Sequence, residues 1–125
     1  MKISVVTICY NSKLFIEKTI LSVINQSYED LEYIVVDGGS TDGTLDVIHK
    51  YSNRITKWIS EKDEGIYNAM NKALDIITGD WVIFMNSGDC FYRYDVLSNI
   101  DFLKYSEASC CGVIYGNGIS LYRKK

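Results

Sequence analysis

Four apolar segments, each stopped by a polar loop and separated from the next by a helical pattern, constrain the fold of this chain more than any other feature. They lie at about residues 3–9, 31–36, 55–60 and 81–85. Strands that alternate with helices in this order form a parallel sheet with right-handed crossovers. We therefore predict an α/β fold with three layers, α/β/α, around a mainly parallel central sheet.

The segments between the strands have apolar residues at helical spacing. The first helix is predicted to begin with Asn11 as its N-cap and to end near Gln26, and the second covers about residues 44–51. The third runs to about Ile77, where Asp63 can cap its start and Gly79 can end it. After residue 92 the pattern weakens, and we expect a helix over about 94–105 and a strand region over about 112–122 that contains a turn or bulge.

The length indicates one soluble domain, residues 1–125. The charge argues against a role in binding nucleic acid. The net charge is -3 and the pI is about 5.1, whereas a sequence-independent nucleic-acid binder needs a basic face. No apolar run approaches the ~20 residues of a membrane span, and the first residues lead straight into a strand pattern instead of a signal peptide. A cytoplasmic location is expected.

The four cysteines have no CxxC spacing, which favours reduced structural thiols over a zinc site or disulfides.

Polar residues follow each predicted strand. Because the carboxyl ends of parallel strands share one edge of a sheet, the loops that begin at Tyr10, Asp37, Ser60 and Asn86 should meet there. The loop after the second strand, GGSTDGT, is rich in glycine and precedes a helix, as in the ligand pockets of open α/β sheets. We interpret this edge as a nucleotide pocket.

Acidic residues are concentrated in the same loops, and carboxylates that face a common crevice need a cation or several donors beside them. Mg²⁺ and Mn²⁺ prefer carboxylate oxygens and use one or two of them when phosphate oxygens complete the shell, so Asp89 is the candidate metal ligand. Taken alone, the sequences NSGD and GGSTDGT are explained at least as well as turns of purely conformational origin. A dinucleotide-binding oxidoreductase is disfavoured, since no GxGxxG follows the first strand.

Four motifs in order, SVVTICYN, YIVVDGGSTDGT, SEKDEGIYNAMNKAL and GDWVIFMNSGD, resemble the nucleotide-binding half of the inverting family 2 glycosyltransferases, which have the GT-A fold. The resemblance covers roughly residues 3–92, and it is closest to bacterial enzymes that build surface polysaccharide. Four ordered motifs are far more specific than any one of them.

The resemblance implies roles for individual residues. Thr7 and Tyr10 would line the pocket for base and ribose, Asp37 would accept the N3–H of a pyrimidine base, and Asp42 would hold its loop. Asp89 would bind the metal ion. The remaining residues implied in nucleotide binding are Asn11, Gly39, Ser40, Asp63, Gly65, Asn71, Ser87 and Gly88.

The resemblance also implies an activity. A UDP-sugar or similar nucleotide-sugar, held with Mn²⁺ or Mg²⁺, would donate its sugar with inversion to a saccharide or lipid-linked saccharide acceptor, in the cytoplasm or at the inner face of the cell membrane. The catalytic base and the acceptor-binding half are expected beyond Lys125. Two questions stay open from the sequence: whether the chain forms a homo-oligomer, and whether it is instead a catalytically empty nucleotide-binding or protein-interaction module.

Overall fold

A six-stranded sheet forms the centre of the molecule. The structure, a computed structural model, describes residues 2–91, 93–99, 113–116 and 119–123. The order of the strands across the sheet is β3-β2-β1-β4-β6-β5. Their bounds are Ile3–Cys9 for β1, Leu31–Asp37 for β2, Lys57–Ser60 for β3, Trp81–Phe84 for β4, Val113–Gly116 for β5 and Ile119–Arg123 for β6. Strands β1 to β4 are mutually parallel, which confirms the predicted α/β fold.

Alternate residues of each parallel strand enter two separate cores. On one face, Val5 and Val35 pack with the buried residues of α1 (Ile16–Ile24) and α2 (Thr44–Lys50). On the other face, Val6 and Val36 pack against α3 (Ile66–Leu74). Strands with both faces covered consist of nearly continuous runs of β-branched residues, as these do. The three predicted layers are therefore present.

The ends of the helices differ from the sequence prediction. Asn11 is not an N-cap: its φ is +46°, and α1 begins five residues later, at Ile16. Asp63 does not cap α3 either, since Gly65 directly precedes that helix and no side chain caps it. Helix α3 ends at Leu74, well before Gly79. Asn11 and Asp63 are polar loop residues that were assigned to the nearest helix, whereas their hydrogen bonds lie within the loops.

The segment after β4 was predicted less well. Over residues 94–99 the predicted α-helix is replaced by a turn and a 3-10 helix at Leu97–Asn99, and the rest of the predicted helix lies outside the described residues. The predicted strand region is a pair of antiparallel strands, β5 and β6, with Gly116 opposite Ile119. Strand β6 also pairs antiparallel with β4 and extends the sheet.

A buried carboxylate joins the strands at the amino-terminal edge of the sheet. Glu32 is 2% exposed and accepts hydrogen bonds from Ser4 Oγ at 2.6 Å and from the N–H and Oγ1 of Thr78 at 2.8 and 3.0 Å. The Gly79 N–H donates to Ser4 Oγ at 2.9 Å. Burial alone would raise the pKa of Glu32, but these hydrogen bonds hold the pKa below its usual value.

Within the described part of the chain, no helix is long and apolar enough to cross a bilayer.

Candidate functional site

The parallel register brings the predicted site loops to one edge of the sheet. Cys9 at the end of β1 lies opposite Asp37 at the end of β2, and Asp37 lies opposite Ser60 at the end of β3. Strand β4 ends at Phe84 beside β1. The four loops that follow these strands therefore start side by side, as predicted.

Asp37 is the structural anchor of this edge. Its side chain has no exposed surface. The carboxylate accepts five hydrogen bonds: Oδ2 from the N–H groups of Gly39 and Ser40 and from Ser60 Oγ, and Oδ1 from Ser40 Oγ and from the thiol of Cys9. A carboxylate has about four lone-pair sites, so these donors use its full capacity. The contact of Asp37 with a base stays a prediction; the structure shows that this carboxylate holds the loops together.

These donors keep Asp37 ionised. Burial alone would raise its pKa, but the hydrogen bonds from Ser40 and Ser60 outweigh burial and hold the pKa below its usual value. The pKa of the neighbouring Cys9 thiol is shifted in the opposite direction, because burial and the charge of Asp37 both raise it. Cys9 is therefore a protonated donor, a free buried thiol as predicted.

Asn11 and Ser40 join the loop after β1 to the loop after β2. The Asn11 N–H donates to Ser40 Oγ at 2.8 Å, and Asn11 Oδ1 accepts the Thr41 N–H at 2.8 Å. The left-handed backbone of Asn11 allows both bonds at once, and asparagine tolerates this conformation better than most residues do. Gly39 has φ +88°, which brings its N–H and that of Ser40 onto the same oxygen of Asp37.

Asp42 strengthens the same junction. Its Oδ1 accepts hydrogen bonds from the N–H and Oγ1 of Thr44, and its Oδ2 accepts the Lys13 N–H at 3.1 Å. The hydrogen bond from Thr44 is the main cause that lowers the pKa of Asp42. Thr44 Oγ1 in turn accepts the Ser12 N–H at 2.8 Å. The prediction that Asp42 holds its loop is confirmed.

Of the two residues predicted to line the base pocket, only Tyr10 is accessible. The side chain of Tyr10 is 63% exposed at the end of β1. Thr7 has no exposed surface, and its hydroxyl is hydrogen-bonded to that of Tyr33 at 2.7 Å inside the core. Thr7 lies on the same face of β1 as the buried Val5, and its predicted contact with a nucleotide stays a prediction.

The third loop places a carboxylate against the glycine pair of the second. Asp63 is partly buried and its Oδ1 accepts the Gly65 N–H at 3.2 Å. Its Oδ2 lies 2.9 Å from the position that a Cβ of Gly38 would occupy. Among the described residues, no hydrogen bond to Oδ2 occurs, so this oxygen is available to a ligand. Asn71, which was predicted with this group, is exposed on α3, and the structure shows no hydrogen bond from its side chain to the described residues.

The fourth loop is fastened by hydroxyl groups to the loop after β1 and to α1. Ser87 Oγ donates to Ser12 Oγ at 2.8 Å, and the Gly88 N–H donates to Thr19 Oγ1 at 2.8 Å. Sequence reasoning missed Ser12 and Thr19. Thr19 is a buried polar residue within the apolar stripe of α1, and this break in the stripe is a signal that would have found it.

Asp89, the predicted metal ligand, follows this loop and is exposed. The backbone N–H of Asp89 donates to the carbonyl of Asn86 at 3.0 Å and closes a turn. Among the described residues, the carboxylate of Asp89 has no hydrogen-bond partner. No group of three metal-ligating side chains occurs in that part of the chain. A single exposed carboxylate could hold a metal ion only if the ion took most of its other ligands from phosphate and water.

The family comparison agrees with these motifs. The sequence model of glycosyl transferase family 2 matches residues 4–125, so the match extends past position 92, where the motif resemblance was predicted to end. The putative teichuronic acid biosynthesis glycosyltransferase TuaG of Bacillus subtilis (strain 168) is 37% identical over 111 residues, which are 86% of this chain and 43% of TuaG. The chain thus spans less than half the length of this relative.

Solved structures share the fold. The mannosyltransferase PcManGT from Pyrobaculum calidifontis, in complex with GDP-Man and Mn²⁺, superposes with a TM-score of 0.83 over 98% of this chain and 44% of its own, at 21% identity. The structure of S. aureus TarS 1–349 in complex with UDP-GlcNAc has a TM-score of 0.79 over 99% of this chain and 46% of its own, at 23% identity. The fold is that of the GT-A glycosyltransferases.

Proposed function

The chain belongs to glycosyl transferase family 2, and from this membership we propose that it is the donor-binding part of an inverting glycosyltransferase. The donor is a UDP-sugar, held together with Mn²⁺ or Mg²⁺ in the cytoplasm. The acceptor is a growing polysaccharide or a lipid-linked saccharide, in line with the name of the relative TuaG. The acceptor-binding half and the catalytic base belong to the part of such an enzyme that this chain does not cover.

One observation carries the proposal: the loops at the strand ends bring an exposed aromatic ring and two accessible carboxylates to one edge of the sheet. Tyr10 offers a flat face on which a base can stack. Asp63 and Asp89 lie on the loops after β3 and β4, which are the outer strands of the parallel set. Adjacent strands are about 4.8 Å apart, so the two loops start about 14 Å from each other. An elongated ligand with a base at one end and phosphates at the other suits this spacing.

Sugar transfer requires that the leaving diphosphate be stabilised, and we place this role at Asp89. As the bond to the sugar breaks, negative charge develops on the leaving diphosphate. A divalent ion held by Asp89 would supply the compensating positive charge. Asp89 would hold the ion from an exposed turn, which Ser87 and Gly88 fasten to Ser12 of the first loop and to Thr19 of α1. Inversion further requires a carboxylate that takes the proton of the acceptor hydroxyl on the opposite side of the sugar.

Calorimetric titration with UDP, in the presence and absence of Mn²⁺, tests the proposal. We expect UDP to bind and Mn²⁺ to tighten binding at least about tenfold, or about 1.4 kcal/mol. Asp89→Asn should remove the effect of Mn²⁺ and leave metal-free binding unchanged. Asp75→Asn is the matched control, because it removes the same charge from an exposed residue at the end of α3.

If neither UDP, GDP nor dTDP bound with or without Mn²⁺, the chain would be a catalytically empty module and the proposal would fail. If UDP bound but Asp89→Asn and Asp75→Asn behaved alike, the donor assignment would stand and the metal assignment would fall.

A further inference from the structure

One face of α1 carries a short series of polar side chains that reach the segment after β4. Thr19 and Ser22 are three residues apart within the helix, and Gln26 follows four residues later, two residues past the end of the helix. Side chains at this spacing lie on one face of a helix. Thr19 has no exposed surface, and a polar group is costly to bury unless it has a hydrogen-bond partner. The partners of this series therefore show what it is for.

Thr19 and Ser22 hold the backbone on either side of Asp89. Thr19 Oγ1 accepts the Gly88 N–H at 2.8 Å, and Ser22 Oγ accepts the Phe91 N–H at 3.2 Å. The hydroxyl of Ser22 donates in turn to the Thr19 carbonyl at 2.8 Å, which leaves its oxygen as the acceptor for Phe91. Asp89 lies between the two bonded positions, one residue after the first and two residues before the second. Its backbone is thus fixed to α1 from both sides.

Gln26 continues this arrangement farther along the segment. Its Nε2 donates to the Arg93 carbonyl at 2.6 Å, and its Oε1 accepts the Leu97 N–H at 3.2 Å. A single amide side chain thereby uses its donor and its acceptor on the backbone of one segment. The bonded positions of the segment follow each other in the same order as the three polar residues of the series. The segment after β4 therefore runs beside α1 and is held by it at several points.

The side chain of Asp89 depends on this hold. Asp89 is exposed, and its carboxylate has no hydrogen-bond partner among the described residues, so the backbone alone sets its position. A ligand of this kind must be held within about 0.5 Å of the productive geometry. Gly88 has φ +98°, a conformation that most residues avoid, and Thr19 accepts the N–H of this strained position. Residues that orient a metal ligand without touching the metal typically change metal affinity 10- to 100-fold when they are replaced.

We propose that Thr19 and Ser22 are positioning residues for the proposed metal ligand Asp89, so that the polar face of α1 determines how tightly a divalent ion is held at the diphosphate. This inference rests on the donor and metal binding proposed above and deepens it. Both hydroxyl groups act through the backbone of the turn, because each already accepts a backbone N–H. A role in stability alone would lower Tm on replacement and leave the effect of Mn²⁺ unchanged.

Calorimetric titration of the full chain with UDP, in the presence and absence of Mn²⁺, tests this role. Thr19→Val keeps the size of the side chain but removes the acceptor of the Gly88 N–H. We expect the tightening of UDP binding by Mn²⁺ to fall from at least about tenfold to about twofold or less, while the metal-free affinity for UDP stays within about twofold. Ser22→Ala should act in the same direction but more weakly, because its bond to Phe91 is longer.

Amide hydrogen exchange without metal or nucleotide provides a second readout. The Gly88 N–H should exchange at least about tenfold faster in Thr19→Val than in the unmodified protein, and the Phe91 N–H should do so in Ser22→Ala, since each loses the acceptor that protects it.

Two further variants separate positioning from a general loss of stability. Thr19→Ser keeps a hydroxyl for the Gly88 N–H and should retain most of the Mn²⁺ effect. Ser4→Ala is the matched control, because it removes a buried hydroxyl that bonds to Glu32 at the amino-terminal edge of the sheet. This control should also lower Tm, but the full effect of Mn²⁺ should remain.

The outcomes distinguish this inference from the function on which it rests. If Thr19→Val lowered Tm but kept the full effect of Mn²⁺, or if Ser4→Ala lost that effect equally, the positioning role would be wrong while donor and metal binding would stand. Should Thr19→Val not fold, an unaltered Mn²⁺ effect in Ser22→Ala would overturn the inference in the same way. If Mn²⁺ had no effect on the unmodified protein, the metal assignment and this inference would fall together.

Discussion

Replacement of Asp37 provides the sharpest test of how the edge of the sheet is built. Asp37→Asn removes the charge but keeps the shape of the side chain. The amide oxygen can take the place of Oδ2 and still accept the N–H groups of Gly39 and Ser40 and the hydroxyl of Ser60. The amide NH₂ group then faces Ser40 Oγ, which can rotate its hydrogen away. Asp37→Ala removes all of these acceptors.

The expected costs follow from the hydrogen bonds that each variant loses. A hydrogen bond to a charged group contributes about 1.5–3 kcal/mol and a neutral one about 0.5–1.5 kcal/mol, and neighbouring bonds are not additive. We expect Asp37→Asn to lower the free energy of unfolding by about 2 kcal/mol and Asp37→Ala by about 4 kcal/mol, since the alanine variant leaves buried donors unpaired. For 125 residues, 1 kcal/mol corresponds to about 4 °C in Tm. The two variants should therefore melt about 8 and about 16 °C below the unmodified protein.

The pH dependence provides a second, independent signature. The pKa of Asp37 is lower in the folded protein than its usual value, so its ionised form stabilises the fold. This contribution is present above the unfolded pKa of about 3.9 and is lost as the pH falls through the folded pKa. The difference in Tm between the unmodified protein and Asp37→Asn should therefore be full at pH 7 and should shrink below about pH 4.

Thermal unfolding followed by circular dichroism measures both effects, with Asp75→Asn as a control that should melt within about 2 °C of the unmodified protein. If Asp37→Asn melted like this control and yet lost its affinity for UDP, Asp37 would be a ligand contact and the structural role assigned to it would be wrong.

Three other predictions follow from contacts described above. Glu32→Gln should lower the free energy of unfolding by about 1–3 kcal/mol in urea denaturation, because a buried charged acceptor of three hydrogen bonds is lost; an unchanged midpoint would contradict this. Gly79→Ala should destabilise the fold by more than about 2 kcal/mol, since the new Cβ would lie 2.5 Å from Ser4 Oγ and 2.8 Å from Ser4 N. The matched variant Gly38→Ala places its Cβ only against the movable side chain of Asp63, so it should melt within about 4 °C of the unmodified protein. Tyr10→Ala should weaken UDP binding about tenfold without a change in Tm, as expected for an exposed ring that stacks on the base, and equal affinity in this variant would exclude stacking.

The parallel sheet and its three layers could be predicted from the sequence because the signal is repeated. Each of the four strands is an apolar run with a polar stop, and a fold with both faces of the sheet covered is what such runs require. Helix ends were less predictable. Asn11 and Asp63 have the chemistry of N-cap residues, but Asn11 bonds to the backbone of another loop and Asp63 bonds only two residues ahead.

The meeting of the site's loops at one edge of the sheet was predicted correctly, whereas the surroundings of Asp37 and Thr7 were not foreseen. Sequence shows that Asp37 ends a strand, but the number of donors around it depends on Ser60 and Cys9, which come from other strands. Thr7 appeared to point to the pocket because of its place in a motif, yet the alternation of the strand turns it into the core toward Tyr33. The contact of Asp63 with Gly38 joins two loops through space, and no local pattern in the sequence reveals it.

The junction between the first two loops has a consequence for the kinetics and energetics of ligand capture. The amide protons of Asn11, Ser12, Lys13 and Thr41 all donate to side chains of the opposite loop. Where a loop at a binding site becomes ordered only when a ligand arrives, this ordering subtracts from affinity. Here the shape is set during folding, so these four loop amides should exchange with deuterated solvent almost as slowly as the strands do, before any nucleotide is added. A donor would then meet a preorganised surface, and its association rate should be limited by encounter and orientation and not by loop closure.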